Sequence, residues 1–210
     1  KLGSMGVISI SKETGALLES IGVWAFFIVI GAFSVWVIGT YDAEGKPNAM
    51  TASWAGICCS RPPCVTVSLR KATYTHGCLS HRKAFTVSIP SQRHVKEVDF
   101  LGLASGRKTD KFAVTGLTPV RSDLVDAPYV AEFPLVLECK LIQTHEIGLH
   151  TQFIGEILDV KADEAVLSAE GLPEVEKVAP FMYGPELKLY HRVGEMLSKA
   201  FSVGHEYDDR

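Results

Sequence analysis

The run S-L-R-K-A-T-Y-T-H, residues 68–76, gathers groups that suit a phosphate. Arg70 offers a planar fork that matches phosphate oxygens, and Lys71 adds a second fixed positive charge. Thr73 and Thr75 supply hydroxyls. Thr73 also stands where a helix running to about Lys83 would want its cap, and the first turn of such a helix presents unpaired N–H groups and the positive end of its dipole. A bend of this composition ahead of a helix is a phosphate site of the helix-terminus kind. A solvated basic strand end with an ordinary threonine cap would read the same way on the motif alone. The surroundings favour the first reading. No acidic residue occurs between Glu44 and Glu97, where composition would place about six. Eight of the 21 Lys and Arg residues lie in that window and all 24 acids lie outside it, so +8 stands against −11 elsewhere.

A second polar run, N-A-M-T-A-S-W at residues 48–54, is small and strand-like. Asn48, Thr51 and Ser53 could line a flat, polar-edged ligand, although small residues at a tight barrel corner give the same pattern.

The elements that must hold these two runs read as short strands with a few short helices. Residues 33–41 form a buried strand and residues 42–47 a turn, with Gly45 where positive φ is wanted. Asn48 to Gly56 reads as one strand, Arg61-Pro62-Pro63 as a turn, and Cys64 to Leu69 and Ala84 to Ile89 as strands. Ser91 is placed to cap a helix from Gln92 to Leu103, followed by a mobile loop from Gly102 to Gly106 and a helical turn or two from Thr109 to Thr115. Beyond Leu117 the pattern returns to strands. Thr118 to Arg121 is short, and the long strands from Pro134 to Glu146 and Thr151 to Lys161 are joined by a turn at I-G-L-H. Asp163 to Leu167 suits a single helical turn, and the tail reads as irregular or partly helical. Gly155-Glu156 marks a bulge. The fold class is therefore mainly β (α+β), a closed or nearly closed antiparallel barrel with helices at its rim.

The bulk properties bound the function. With 210 residues the chain is one domain with appendages, and 47% hydrophobic residues allow a sizeable core. A pI near 6.2 argues against nucleic-acid binding. Five cysteines at irregular spacing do not form a secreted disulfide framework, so a cytoplasmic setting is expected. Residues 1–4 look like a cloning scar and 205–210 like a solvated tail. The uncharged run from Ser20 to Tyr41 is long enough to span a bilayer, but it is rich in β-branched and aromatic residues and has no flanking Lys/Arg cluster. It reads as core rather than membrane, with residues 5–32 left unassigned. Cys58-Cys59 and Cys64 read as reduced structural thiols, because strand neighbours point to opposite faces and no metal is implied.

The pieces G-T-Y-D-A-E-G-K-P-N-A-M-T-A-S-W, V-S-L-R-K-A-T-Y-T-H and A-F-T-V-S-I-P, with D-K-F-A-V-T-G-L-T-P-V and E-I-G-L-H-T-Q-F-I-G-E-I later, resemble the flavin reductase-like, FMN-binding split-barrel family, above all its flavoredoxin branch. The likeness covers roughly residues 33–204. It implies a homodimeric split β-barrel of Greek-key type with FMN near the dimer interface. It further implies that Asn48, Met50, Thr51, Ala52 and Ser53 face the isoalloxazine. Leu69, Arg70, Lys71, Thr73, Tyr74 and Thr75 would hold the phosphate and ribityl chain, and Ser88, Ile89 and Pro90 would close the site. Related reductases carry G-D-H beside the nicotinamide. This chain has Gly148-Leu149-His150, which keeps His150 as the catalytic or positioning residue and replaces the acid with Leu149.

Three functions compete. The first is an oxidoreductase that takes hydride from NADH or NADPH and passes electrons to flavin or a redox protein partner. The second is an FMN electron carrier with no nicotinamide site, and the third is a membrane-anchored binding module.

Overall fold

The computed structural model describes residues 7–9 and 35–207. The readings of residues 10–34, including most of the apolar run, and of residues 1–4 and 208–210 lie outside the described residues. The described residues form strands β1 (Val7–Ser9), β2 (Trp36–Tyr41), β3 (Pro47–Ala52), β4 (Ala55–Ser60) and β5 (Pro63–Arg70), then helix α1 (Tyr74–Arg82) and β6 (Ala84–Ile89). Next come α2 (Val95–Leu103), α3 (Lys111–Thr115), β7 (Pro119–Arg121), β8 (Pro128–Val130), β9 (Leu135–Ile147) and β10 (His150–Asp163). The chain ends with α4 (Val175–Val178), β11 (Phe181–Gly184) and β12 (Leu189–Arg192).

The main sheet is antiparallel and runs β3-β2-β6-β9-β10-β5-β4, with β1 added to β10. Its two ends, β3 and β4, are consecutive in the chain and joined only by Ser53-Trp54. Three residue steps reach at most about 11 Å. The sheet must therefore curl until its edges meet, and the Ser68 N–H ties that corner by donating to the Trp54 carbonyl at 2.7 Å. The edges meet without a ladder between them, which is a split barrel. The single strand read from Asn48 to Gly56 is thus two strands at opposite edges. Alternation carries through the corner, so the sequence pattern did not show the break.

Alternation along each strand sorts the core into two layers. Trp36, Phe85 and Phe153 fill the barrel interior with essentially no exposure, each worth on the order of 1.5–3 kcal/mol of burial. Outside it, Val37 and Ala49 pack against Val98 and Leu101 of α2 and Phe112 of α3. Lys111 pins this layer, its ammonium donating to the carbonyls of Ala49 and Leu101 at 2.8 Å each. Gly155 lies at a register shift between β9 and β10, where a Cβ would come within 2.5 Å of the Phe85 ring, so the bulge needs glycine.

Several local expectations change. Gln92–His94 is a 3-10 turn with no side-chain cap from Ser91, and the helix proper starts at Val95. The expected tail of irregular or partly helical chain contains the β11–β12 hairpin, whose Phe181, Tyr183 and Tyr190 join the outer core. The loop after α2 is fastened rather than loose. Gly106 packs so closely on Asn48 and Tyr74 that a Cβ would sit 2.3 Å from Asn48 Oδ1, and Arg107 donates to the Ala72 carbonyl at 3.0 Å. Finally, the register between β4 and β5 slips at Ile57/Cys59, so the rule that neighbouring cysteines face opposite ways does not hold there. Among the described residues no helix is long and apolar enough to cross a membrane.

Candidate functional site

The basic bend forms as its sequence implies. Thr73 caps α1: its hydroxyl accepts from the His76 N–H at 3.3 Å and donates to the Arg70 carbonyl at 2.9 Å. That cap turns the chain sharply after β5 and leaves Arg70 and Lys71 exposed ahead of the helix. The two cations are not equivalent. Lys71 is paired with Glu146 at 2.6 Å, whereas the Arg70 guanidinium makes no hydrogen bond or ion pair among the described residues. Arg107 is a third cation at the bend, held by Ala72 and lying 5.8 Å over the Tyr74 ring. Sequence reasoning missed it because it falls outside the acid-free window. Its pairing with Gly106, in a run broken by small residues, was the available signal.

The β5–β10 register sets His150 directly opposite Arg70. Trp54, from the β3–β4 corner, meets the His150 ring edge-on at 6.2 Å. Three segments far apart in sequence therefore converge: the corner at Ser53-Trp54, the bend at Arg70, and the β9–β10 turn. Trp54 is 64% exposed and Leu149 62%, so large apolar groups border the cations.

Behind the bend runs a polar chain. Glu146 takes Lys71 on one oxygen and the Thr151 hydroxyl on the other, at 3.0 Å. Thr151 has one proton and gives it to the carboxylate, so it must accept from His76 Nε2 at 2.9 Å. His76 is thereby fixed with its proton on Nε2. Burial lowers the His76 pKa, with Glu146 working in the opposite sense. The Lys71 hydrogen bond holds the exposed Glu146 carboxyl below its ordinary value.

Asn48 lies buried on β3 and donates to Thr75 at 2.9 Å and Thr40 at 3.4 Å. Its Oδ1 has no hydrogen-bond partner and faces the Gly106 backbone. Tyr74 donates to Asp42 at 2.8 Å, and burial together with that carboxylate pushes its phenol up to about 12. Of the remaining predicted residues, Met50, Ala52 and Leu69 face the barrel core and Ser53 is exposed at the corner. Thr51 lies on the outer face and donates to the Val98 carbonyl. Ser88 shares that face two strands away, with Val37 between them, and its buried hydroxyl has no hydrogen-bond partner. Ile89 is in the barrel core and Pro90 is buried. The structure brings Asn48, Tyr74 and Thr75 together, and separately Trp54, Arg70 and His150. Ser88 to Pro90 make no hydrogen bond, ion pair or ring contact with either group.

An FMN fits these residues by chemistry. Its phosphate would meet one unpaired cation, a second nearby and a helix start, and its polar ring edge would meet the open corner at Ser53. A polar depression of about 370 Å³ at Arg121–Asp126 includes none of these residues.

The family profile of the flavin reductase like domain matches residues 32–185. Flavoredoxin of Desulfovibrio vulgaris (Miyazaki F) is 53% identical, with a TM-score of 0.79 over 83% of this chain and 94% of that one. Flavoredoxin from Methanosarcina acetivorans is 29% identical, also with a TM-score of 0.79, over 83% and 92% of the two chains. A ferric-chelate reductase (NAD(P)H) of Archaeoglobus fulgidus is 26% identical over 59% of this chain and 73% of that one. With its split barrel and a profile match across most of its length, the chain belongs to the flavin reductase-like family.

Proposed function

We propose that this protein is an FMN flavoprotein that takes hydride from NADH or NADPH and passes electrons to flavin or an acceptor protein. The observation that carries this reading is the convergence of unpaired Arg70, His150 and Trp54 at the open corner of the barrel. Bound FMN supplies the chemistry, accepting hydride and releasing electrons singly or in pairs. The chain's residues bind and orient. Arg70 holds the phosphate, with Arg107 and the start of α1 adding positive potential. Lys71, restrained by Glu146, contributes less until that pair opens. The Asn48–Ser53 segment presents small groups and backbone to the ring, and exposed Trp54 keeps water from one side of it. His150 acts as a positioning residue at the nicotinamide side.

The protein works as a homodimer with FMN near the interface. Support comes from Trp54, Ile147 and Leu149, large apolar groups exposed beside the bend that a second subunit would cover. Leu149 also favours a second reading, an electron carrier reduced by another protein. An exposed leucine stands where related reductases keep an acid, so the nicotinamide loses a polar contact.

Anaerobic mixing of the FMN-loaded protein with NADH and with NADPH tests the reductase reading. Bleaching of the flavin absorbance within seconds is expected. No bleaching with either nucleotide, together with rapid reduction by a protein donor, would establish the carrier instead.

A further inference from the structure

Away from the bend, the β4–β5 hairpin collects three of the five cysteines. Cys58 and Cys59 are exposed on β4, and Cys64 is buried on β5 at 3% exposure. The register shift makes Cys58 the extra residue and sets Cys59 directly opposite Cys64. Opposed residues of an antiparallel pair have Cα atoms about 4.5–5.5 Å apart, within the roughly 4.4–6.8 Å that a disulfide spans. Directly opposed side chains have Cβ atoms about 4.5–5.5 Å apart, so the Cys59 and Cys64 side chains are neighbours. An accessible thiol therefore sits on top of a sheltered one, close to the exposed hairpin turn at Arg61-Pro62.

We propose that Cys59 and Cys64 form a reversible cross-strand dithiol site that exchanges with low-molecular-weight disulfides. The Cys59 thiolate attacks one sulfur of the small disulfide, whose S–S bond breaks and releases one thiolate. Cys64 then loses its proton and attacks Cys59 Sγ, forming the Cys59–Cys64 bond and expelling the second thiolate. Two electrons pass from the cysteines to the small disulfide. The two cysteine protons balance the two thiols it becomes. The division of labour follows from access, since Cys64 cannot meet the reagent before Cys59 does. Burial and the neighbouring thiols push the Cys64 thiol up to about 11. The second step therefore needs that proton removed, and its rate rises about tenfold per pH unit below that value. The site needs no flavin and stands apart from the reading of the bend.

The test uses the full chain, fully reduced, with glutathione disulfide as the probe. Products are followed by intact mass and by alkylation of each cysteine. The expected course is a transient adduct of one glutathione, then a product two hydrogens lighter in which Cys59 and Cys64 resist alkylation. Cys64→Ser should stop at a lasting adduct on Cys59, and Cys58→Ser should still reach the disulfide. A Cys58–Cys59 bond would overturn the proposal. So would a Cys64→Ser chain that still loses two hydrogens, or a wild-type chain in which both Cys59 and Cys64 remain open to alkylation.

Discussion

Replacing Arg70 with alanine should weaken FMN binding and leave riboflavin, the same ring and ribityl chain without phosphate, nearly unchanged. The reasoning rests on how the three cations are committed. Lys71 is held by Glu146 at 2.6 Å, and Arg107 spends a donor on the Ala72 carbonyl at 3.0 Å. Arg70 is exposed and its guanidinium bonds to nothing among the described residues, so losing it leaves no buried group unsatisfied and the fold should stand. A hydrogen bond to a charged partner is worth about 1.5–3 kcal/mol, and solvent screening moves an exposed arginine toward the lower end. A loss of about 1–2 kcal/mol corresponds to about 5- to 30-fold in Kd. The assay is quenching of flavin fluorescence at low salt, for both proteins with both flavins. Raising the salt should erase the difference for FMN only. Equal losses for FMN and riboflavin would place the damage in the ring site or the fold. No loss for either would remove the phosphate from Arg70.

Glu146→Gln should strengthen FMN about 2- to 5-fold over riboflavin, because it frees Lys71 from its exposed pair; the same titration reads it. Lys161→Met should destabilise the fold by about 3–5 kcal/mol in urea denaturation, since buried Glu138 and Asp159 lie 3.6 and 3.8 Å from that ammonium and would face each other without it. Burial alone would raise the Asp42 carboxyl, but the Lys46 N–H, the Tyr74 phenol and the Glu44 N–H hold it below its ordinary 3.8. Its contribution is therefore complete above that value and lost as pH falls through the lower, folded one. Asp42→Asn should be less stable at neutral pH and lose less stability on acidification, as followed by circular dichroism.

Much of the architecture was legible because alternation and turn chemistry decide it locally. Strands β2, β5 and β6 follow from period-2 patterns, and the Thr73 cap and Gly45 turn from residue type. What escaped is set by closure of the barrel. The corner at Ser53-Trp54 interrupts no pattern, yet it sends β3 and β4 to opposite edges. The bulge at Cys58 is equally silent, since one extra residue changes register without changing composition. The site divides in the same way. The charge of Arg70 and Lys71 could be read from the chain, but the pairing of Lys71 with Glu146 and the approach of Arg107 depend on β9 and on the loop after α2. Asn48 was read as facing a ligand, whereas in the fold its amide is already bonded to Thr75 and Thr40, which leaves only Oδ1 uncommitted.

The central claim is that this barrel holds FMN at the basic bend. Equilibrium dialysis of the flavin-free chain against FMN tests it most directly. The account predicts saturation near one FMN per chain with a yellow, spectrally shifted product. A chain that shows no saturable uptake of FMN at any concentration tested would contradict it.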